Sequence, residues 1–137
     1  MFRRLDAHML VSGQLRPDDM AAAKAQGVGM IVNNRPDGEA PGQPTGAEIE
    51  AAARRAGIDY RFIPVAGGLS HDQIEAMARA LEDAEGQLLA YCTSGTRSTF
   101  LWALAEARRG AQGAALVAKA AEAGYDLSPI AHLLYRE

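Results

Sequence analysis

The sequence contains one cysteine, three histidines and no long apolar run. A single cysteine excludes an internal disulfide, fits a reducing compartment and leaves no second thiol to resolve a covalent sulfur intermediate. The cysteine and histidine spacings match no metal site, and nothing else in the chain suggests a cofactor. No run approaches the length of a membrane span, and no charged-then-apolar signal segment begins the chain, so a cytoplasmic protein is expected.

The chain also has little excess charge of either sign. A net charge of −3 gives no reason to expect a nucleic acid or an anionic membrane as a partner. A hydrophobic content of 48% and a charged content of 23% are typical of a globular protein. The length, together with the lack of repeats or linkers, predicts a single domain over residues 1–137.

Strand and helix patterns alternate along the chain. Strands are predicted over 8–11, 28–33, 58–64 and 87–91. Helices are predicted over 17–26, 45–56, 70–83, 98–109 and 114–123, with a last short helix from 128. Strands separated by helices of this length pair in parallel, and helices cover both faces of the sheet. The predicted fold is therefore an α/β three-layer sandwich with a mostly parallel sheet of four to five strands.

Ligands of such folds bind beyond the carboxyl ends of the strands. Three of these ends carry polar or glycine-rich residues, over 33–37, 64–68 and from Cys92 onward. The fold thus predicts that these three segments meet in space.

The segment from Cys92 to Ser98, here called the Cys92 loop, is the most informative part of the chain. An apolar run over 88–91 leads into it and an Ala- and Leu-rich stretch over 100–107 leads out, which predicts a strand, a tight loop and a helix. Small residues at a helix start direct backbone N–H groups at one spot and bind an anion. The predicted anion-binding residues are Thr93, Ser94, Gly95 and Thr96. The same field favours a thiolate at Cys92.

Three residues of the Cys92 loop are predicted to be catalytic. Cys92 is the nucleophile, and Arg97 adds a fixed cation with a planar fork of donors. Ser98 can donate to the sulfur as it becomes charged, and it can also cap the following helix. A lone cysteine at a strand end is more often a small buried hydrophobic residue, but Gly95 and Arg97 favour the nucleophile.

Several motifs together resemble a known family. They are Val11-Ser12-Gly13-Gln14-Leu15, Asn33-Asn34-Arg35-Pro36-Asp37-Gly38-Glu39, Pro41-Gly42-Gln43-Pro44, Ile63-Pro64-Val65 and Tyr91-Cys92-Thr93-Ser94-Gly95-Thr96-Arg97-Ser98. Over about residues 5–110 the chain resembles the bacterial beta-lactamase-hydrolase-like, phosphatase-like domain family. The resemblance implies a fold like that of dual-specificity protein phosphatases, with Cys92 as nucleophile and Arg97 as anion ligand. Members fused to a domain resembling persulfide dioxygenases imply such a protein as a partner.

The Cys92 loop departs from the phosphatase pattern in its length. Dual-specificity phosphatases place five residues between the cysteine and the arginine, whereas this chain has four. Four is the count in single-domain rhodaneses, whose loops often read Cys-x-Ser-Gly-x-Arg-Ser and carry sulfur as a persulfide. A shorter ring suits a sulfur atom or a small sulfur oxyanion better than a tetrahedral phosphate.

The general acid of a phosphatase is the second departure. Related phosphatases have an Asp after the strand that precedes 66–68, where this chain reads Ala-Gly-Gly. Asp37 and Asp72 remain as possible acids, although Asp37 also suits a turn and Asp72 the first turn of a helix. Arg35 either binds the substrate anion or pairs with a neighbouring acid, Asp37 or Glu39.

Three functions stay open at this stage. The first is sulfur transfer through a Cys92 persulfide, because its leaving group is already stable as an anion and needs no strong acid. The second is a phosphatase that hydrolyses phosphomonoesters through a Cys92 phosphothiolate. The third is a non-catalytic module that binds an anion or a persulfide. The expected ligand is a small anion, namely thiosulfate, a persulfide or a phosphate ester.

Overall fold

The apolar segments form a five-stranded sheet in the computed structural model, which describes residues 2–135. The strands are β1 (Arg3–Asp6), β2 (Met9–Ser12), β3 (Val28–Asn33), β4 (Asp59–Phe62) and β5 (Gln87–Tyr91). Their order across the sheet is β1-β2-β5-β3-β4. Only the pairing of β1 with β2 is antiparallel, so the described sheet is mostly parallel, as the alternation predicts.

Six α-helices connect or flank these strands within the described residues. They are α1 (Met20–Ala25), α2 (Gly46–Arg55), α3 (His71–Asp83), α4 (Thr96–Arg108), α5 (Gly113–Glu122) and α6 (Ala131–Leu134). Capping boxes begin α2 and α3, where the hydroxyls of Thr45 and Ser70 accept from the backbone N–H three residues later. Over residues 2–135, no helix combines the length and apolar character needed to cross a membrane.

Helices cover both faces of the sheet, because successive strand side chains point to opposite sides. One face packs its buried residues against α3, α4, α5 and α6, and the other packs against α1 and α2. The central strands supply Val11, Val32 and Ala90 to the first face and Leu10, Ile31 and Leu89 to the second, all at most 2% exposed. The predicted α/β three-layer sandwich is confirmed.

The structure adds one strand that was missed and corrects several bounds, among them those of the strand expected over 58–64, which is Asp59–Phe62. β1 was not predicted, because three of its four residues are charged and only Leu5 is buried. Charged residues are typical of an edge strand, since they discourage pairing with another chain. The helix expected over 17–26 begins instead as a 3-10 turn, Pro17–Asp19, followed by α1. The helix expected from residue 98 begins two residues earlier.

The sheet order places the Cys92 loop at the middle of the carboxyl edge. β5 lies between β2 and β3, and the pairing continues past its end, where Cys92 N–H donates to the carbonyl of Ser12 at 3.3 Å. Asn34 N–H donates to the carbonyl of Tyr91 at 2.9 Å, and Val65 N–H donates to that of Asn34 at 3.0 Å. The three strand ends that were predicted to meet are therefore hydrogen-bonded neighbours.

Candidate active site

The sulfur of Cys92 lies at the floor of a tight turn between β5 and α4. Cys92 is 1% exposed, and the backbone N–H of Gly95 donates to its Sγ at 3.2 Å. Gly95 is the N-terminal cap of α4 and has a φ of 93°, in the left-handed region that a glycine adopts without strain. Its carbonyl accepts from the backbone N–H and the hydroxyl of Thr99, which fixes the turn to the first helical turn.

These donors change the acidity of the thiol. Burial acts most strongly and raises the pKa of Cys92, because a buried thiolate loses its hydration. The backbone N–H groups of Ser98 and Ser94, the hydroxyl of Ser98 and the backbone N–H of Gly95 together outweigh burial. The pKa of Cys92 is therefore lower than that of an ordinary thiol, as a nucleophilic cysteine requires.

The pH midpoint of the rate of Cys92 alkylation should accordingly be lower in the folded chain than in the unfolded chain. The physical reason is the set of N–H donors, which exists only in the folded loop. The rate of reaction with iodoacetamide, measured against pH with and without denaturing urea, gives both midpoints, because the chain has no other thiol. Equal midpoints would remove the basis for a nucleophile.

Ser98 is buried beside the sulfur and has two acceptors for one proton. Its hydroxyl donates to Oδ1 of Asn34 at 2.7 Å, although it also lowers the pKa of Cys92 by hydrogen bonding to the sulfur. A hydroxyl has a single hydrogen, so Ser98 can serve only one of these two acceptors at a time, and in this structure it serves Asn34. Asn34 Nδ2 donates to the carbonyl of Ile63 at 2.8 Å, which fixes the amide so that Oδ1 faces Ser98. Ser98 can therefore turn from Asn34 to the sulfur when the thiol ionises. It is not the helix cap, because Gly95 holds that position.

Arg97 is held by three groups around the mouth of the Cys92 loop. Its Nη1 donates to the carbonyl of Val65 at 2.7 Å, and its Nη2 donates to the hydroxyl of Thr93 at 2.8 Å. The two nitrogens also bind both carboxylate oxygens of Glu39, at 2.7 and 2.9 Å. Nε of Arg35 donates to the same carboxylate at 3.0 Å. Glu39 thus lies between two guanidinium groups.

The sequence interpretation placed Glu39 only as a possible partner of Arg35, and its contact with Arg97 was missed. The hydrogen bond from Arg97 lowers the pKa of Glu39 to about 2, against an opposing effect of burial and with further help from Arg35. Glu39 is therefore ionised at neutral pH. Its carboxylate occupies both donors of the Arg97 fork in a bidentate pair. Little in the sequence indicated the contact between Glu39 and Arg97, since a Glu in a Pro- and Gly-rich loop is ordinarily a solvated residue.

Replacing Glu39 with Gln should strengthen anion binding at the Cys92 loop. The substitution removes a charge that neutralises Arg97 and Arg35, so the affinity for sulfate should rise about threefold to tenfold, the range of ~1 kcal/mol. The shift of melting temperature with sulfate concentration measures this affinity. Glu50→Gln is the matched control, because Glu50 pairs with Arg54 at 3.0 Å on the surface of α2. An unchanged affinity for sulfate in Glu39→Gln would show that the charge of Glu39 does not weaken anion binding at the Cys92 loop.

The same variant should change the response of stability to acid. The pKa of Glu39 is about 2 in the folded chain, against an ordinary value of 4.5. Ionised Glu39 therefore stabilises the fold fully above pH 4.5, and this contribution is lost as the pH falls toward 2. Urea unfolding at several pH values should show a shallower loss over that window in Glu39→Gln than in the wild type.

Of the remaining predicted residues, Arg35 is connected to the Cys92 loop by hydrogen bonds, whereas Asp37 and Asp72 are not. Arg35 is 8% exposed and joins the site through Glu39, and its Nη1 donates to Gln14 at 3.0 Å. Asp37 accepts from the backbone N–H of Gly46 at 2.7 Å, which fixes the start of α2. Asp72 is exposed in the first turn of α3. Within the described chain, neither Asp37 nor Asp72 has a hydrogen bond to the Cys92 loop.

The rim of the Cys92 loop is open. Thr93, Ser94 and Thr96 are exposed, and the hydroxyls of Ser94 and Thr96 lie 3.0 Å apart, whereas Gly95 is buried. Across residues 2–135, no cluster of three or more His, Cys, Asp or Glu side chains is placed to hold a metal ion. The arrangement places a sulfur and N–H donors below an open rim, with the guanidinium fork of Arg97 bound to Glu39 beside them.

Solved structures share this architecture. A candidate phosphatase from Neisseria meningitidis Z2491 is 30% identical, with a TM-score of 0.83 over 96% of this chain and 94% of that one. A candidate phosphatase from Shewanella putrefaciens CN-32 is 19% identical with a TM-score of 0.71, over 90% of each chain. The core catalytic domain of a PP-IP phosphatase from S. cerevisiae is 12% identical with a TM-score of 0.70, over 98% and 85%. The last two show the fold alone, which is that of dual-specificity-like phosphatases.

Sequence relatives agree with this likeness. A beta-lactamase hydrolase-like protein of Xylella fastidiosa (strain Temecula1 / ATCC 700964) is 42% identical over 103 residues, which cover 74% of this chain and 24% of that protein. One of Agrobacterium fabrum (strain C58 / ATCC 33970) is 41% identical over 108 residues, 78% of this chain and 25% of that protein. The chain thus spans about a quarter of the length of these relatives.

The family model for the beta-lactamase hydrolase-like protein, phosphatase-like domain matches residues 1–109. That match includes all five strands and the whole Cys92 loop, and the chain belongs to this phosphatase-like family.

Proposed function

We propose that the protein is a sulfurtransferase that carries sulfur as a persulfide on Cys92. The observation that carries this proposal is the state of the one carboxylate hydrogen-bonded to the Cys92 loop in the described chain. That carboxylate belongs to Glu39, and a pKa of about 2 keeps it ionised. The loop thus combines a nucleophile and an anion ligand, and within residues 2–135 no neutral carboxylic acid is hydrogen-bonded to it. Sulfur transfer needs only the first two, because its leaving group is a stable anion.

The proposed first half-reaction uses the thiol, the N–H donors and the guanidinium of the Cys92 loop. The thiolate of Cys92 attacks the outer sulfur of thiosulfate and forms a new S–S bond. The original S–S bond breaks, and sulfite leaves with the electron pair. Arg97 exchanges the carboxylate of Glu39 for the oxygens of the sulfonate end, and the backbone N–H groups of Ser94, Gly95 and Ser98 stabilise the negative persulfide.

The second half-reaction regenerates the enzyme. An acceptor thiolate or cyanide attacks the terminal sulfur, and Cys92 leaves as a thiolate. Neither half-reaction consumes a proton or changes the net oxidation state. Because Cys92 is the only thiol, the acceptor comes from outside the chain. When the acceptor is a thiolate, the product is the persulfide of that acceptor. In this scheme a persulfide dioxygenase-like protein, the partner implied by the family resemblance, would consume it.

A phosphatase is the second candidate, and the 30% identical candidate phosphatase favours it. In that reaction Cys92 takes the phosphoryl group, and the leaving alkoxide must gain a proton. General acid catalysis of such a step contributes about 10²–10⁴-fold, and the ionised Glu39 cannot supply it. The chain would then be a slow phosphatase, limited to esters of acidic phenols.

One experiment separates the two candidates. The purified protein is incubated with thiosulfate and its intact mass is measured, and turnover is followed with thiosulfate plus cyanide beside an aryl phosphate. We expect Cys92 to gain one sulfur atom that cyanide removes. A protein that never gains sulfur yet hydrolyses the aryl phosphate through Cys92 is a phosphatase. A protein that neither gains sulfur nor hydrolyses the aryl phosphate, yet is stabilised by sulfate, is a binding module.

Supplying the missing acid should also distinguish them. Gly67 is exposed, a Cβ added there has open space, and the nearby Val65 carbonyl binds Arg97. For a sulfurtransferase, Gly67→Asp should leave hydrolysis of alkyl phosphates undetectable. For a phosphatase it should raise that hydrolysis by about 10²-fold or more. Ala115→Asp, on the exposed side of α5, controls for the added charge.

A further inference from the structure

Tyr125 lies outside the family match of residues 1–109 but reaches the Cys92 loop. It follows α5, and its hydroxyl donates to the carbonyl oxygen of Ser94 at 2.9 Å. Its own backbone N–H donates to the carbonyl of Ala120 at 2.8 Å, which ties it to the end of α5. The C-terminal part of the chain therefore contacts the turn that contains the nucleophile.

The carbonyl that Tyr125 binds and the N–H that faces the sulfur belong to one peptide unit. That unit joins Ser94 to Gly95, and it is planar and trans, so its C=O and N–H point in opposite directions. Gly95 N–H donates to Sγ of Cys92 at 3.2 Å. Holding the carbonyl end therefore sets the direction of the N–H end. A hydrogen bond to the carbonyl also polarises the peptide and makes its N–H a stronger donor.

Gly95 is the residue that allows this contact. A Cβ at position 95 would collide with the hydroxyl oxygen of Tyr125. The φ of 93° separately disfavours any side chain there. The hydroxyl of Tyr125 thus packs directly over the backbone of the Cys92 loop, in a space that only a glycine leaves open.

Tyr125 is itself held in place and electrically coupled to the sulfur. The guanidinium of Arg3 lies 5.5 Å from the centre of its ring, and Arg3 Nη1 donates to the carbonyl of Ala123 at 2.9 Å. Burial raises the pKa of Tyr125, Arg3 opposes this, and the negative charge of Cys92 raises it further. The hydroxyl stays protonated at neutral pH and remains a donor.

We propose that Tyr125 is a positioning residue for the nucleophile, whose hydroxyl holds the Ser94–Gly95 peptide so that its N–H points at the sulfur of Cys92. The inference rests on the proposed function only in that Cys92 is the reactive group. Iodoacetamide alkylates a reactive thiol whatever substrate the enzyme uses, so alkylation tests this inference and persulfide formation tests the proposed function.

The first test is Tyr125→Phe, which removes one hydroxyl and keeps the ring. The alkylation midpoint of Cys92 should rise by about 0.5–1 pH unit, and the rate below that midpoint should fall about threefold to tenfold. Tyr135→Phe is the control, because it removes a hydroxyl from a tyrosine that is 57% exposed. It should leave the alkylation midpoint of Cys92 unchanged. A lower melting temperature of Tyr125→Phe with an unshifted midpoint shows a merely structural role and overturns the proposal.

The second test leaves Tyr125 in place. In protein labelled with ¹³C at the tyrosine ζ carbon, the Tyr125 signal is identified by its loss in Tyr125→Phe. That signal should shift with pH at the alkylation midpoint of Cys92, and the shift should vanish in Cys92→Ser. A Tyr125 signal that ignores the ionisation of Cys92 overturns the proposal. Failure of thiosulfate to add sulfur, with both results as expected, would reject sulfur transfer alone.

Discussion

Replacing Cys92 with serine should abolish sulfur uptake from thiosulfate and reduce turnover with cyanide by at least about 10³-fold. A serine hydroxyl is not ionised at neutral pH, and it contains no sulfur with which to form a persulfide. The fold should survive, because the two side chains have nearly the same size and the Gly95 N–H that binds Sγ can bind Oγ. Intact mass after thiosulfate treatment and the rate of thiocyanate formation measure the two effects.

The background of this experiment is low, because the variant contains no thiol at all. Stabilisation by sulfate, measured as the shift in melting temperature, should persist in Cys92→Ser and show that the anion site is intact. A variant that still gains sulfur would place the sulfur carrier elsewhere and end the proposed mechanism.

Replacing Arg97 with lysine should reduce kcat/KM for thiosulfate by about 10²–10³-fold. The guanidinium uses its planar fork to contact both oxygens of Glu39, the carbonyl of Val65 and the hydroxyl of Thr93 at once. A lysine ammonium keeps the charge but cannot hold an oxyanion in this geometry. Steady-state kinetics and sulfate-dependent melting measure the loss.

Arg61→Lys is the matched control for this variant. Arg61 lies on β4 and forms salt bridges with Asp59 at 3.7 Å and Asp83 at 3.2 Å, outside the Cys92 loop. Its replacement should leave both kinetics and sulfate binding unchanged. Equal sulfate-induced stabilisation in the wild type and Arg97→Lys would show that the fork is not the anion ligand.

Local sequence signals predicted the elements that depend on local interactions. β3 and β5 have the predicted bounds, because buried strands read as continuous apolar runs between turn residues. The capping residues Thr45 and Ser70 were identified because a capping box joins residues only three apart. Gly95 and Arg97 were singled out on the same basis, since their spacing from Cys92 is short.

Long-range contacts explain what the sequence could not predict. The contact of Arg97 with Glu39 joins residues 58 apart, and that of Tyr125 with Ser94 joins residues 31 apart. No periodicity or cap marks either partner. Tyr125 also lies beyond the motifs that carry the family resemblance. The missed strand β1 is a different case, because its charged side chains mask the pattern of a strand.

The central place of β5 in the sheet has a consequence for folding kinetics. Leu89 pairs with Leu10 on one side and with Ile31 on the other, and Ser98 meets Asn34 across 64 residues of chain. Such non-local pairings pay their loop-closure entropy before they gain stability, so they form slowly. The newly made chain therefore carries an ordinary, weakly ionised thiol while it is unfolded. The pKa of Cys92 falls only once the Cys92 loop has folded at the end of β5, because its N–H groups then face the sulfur.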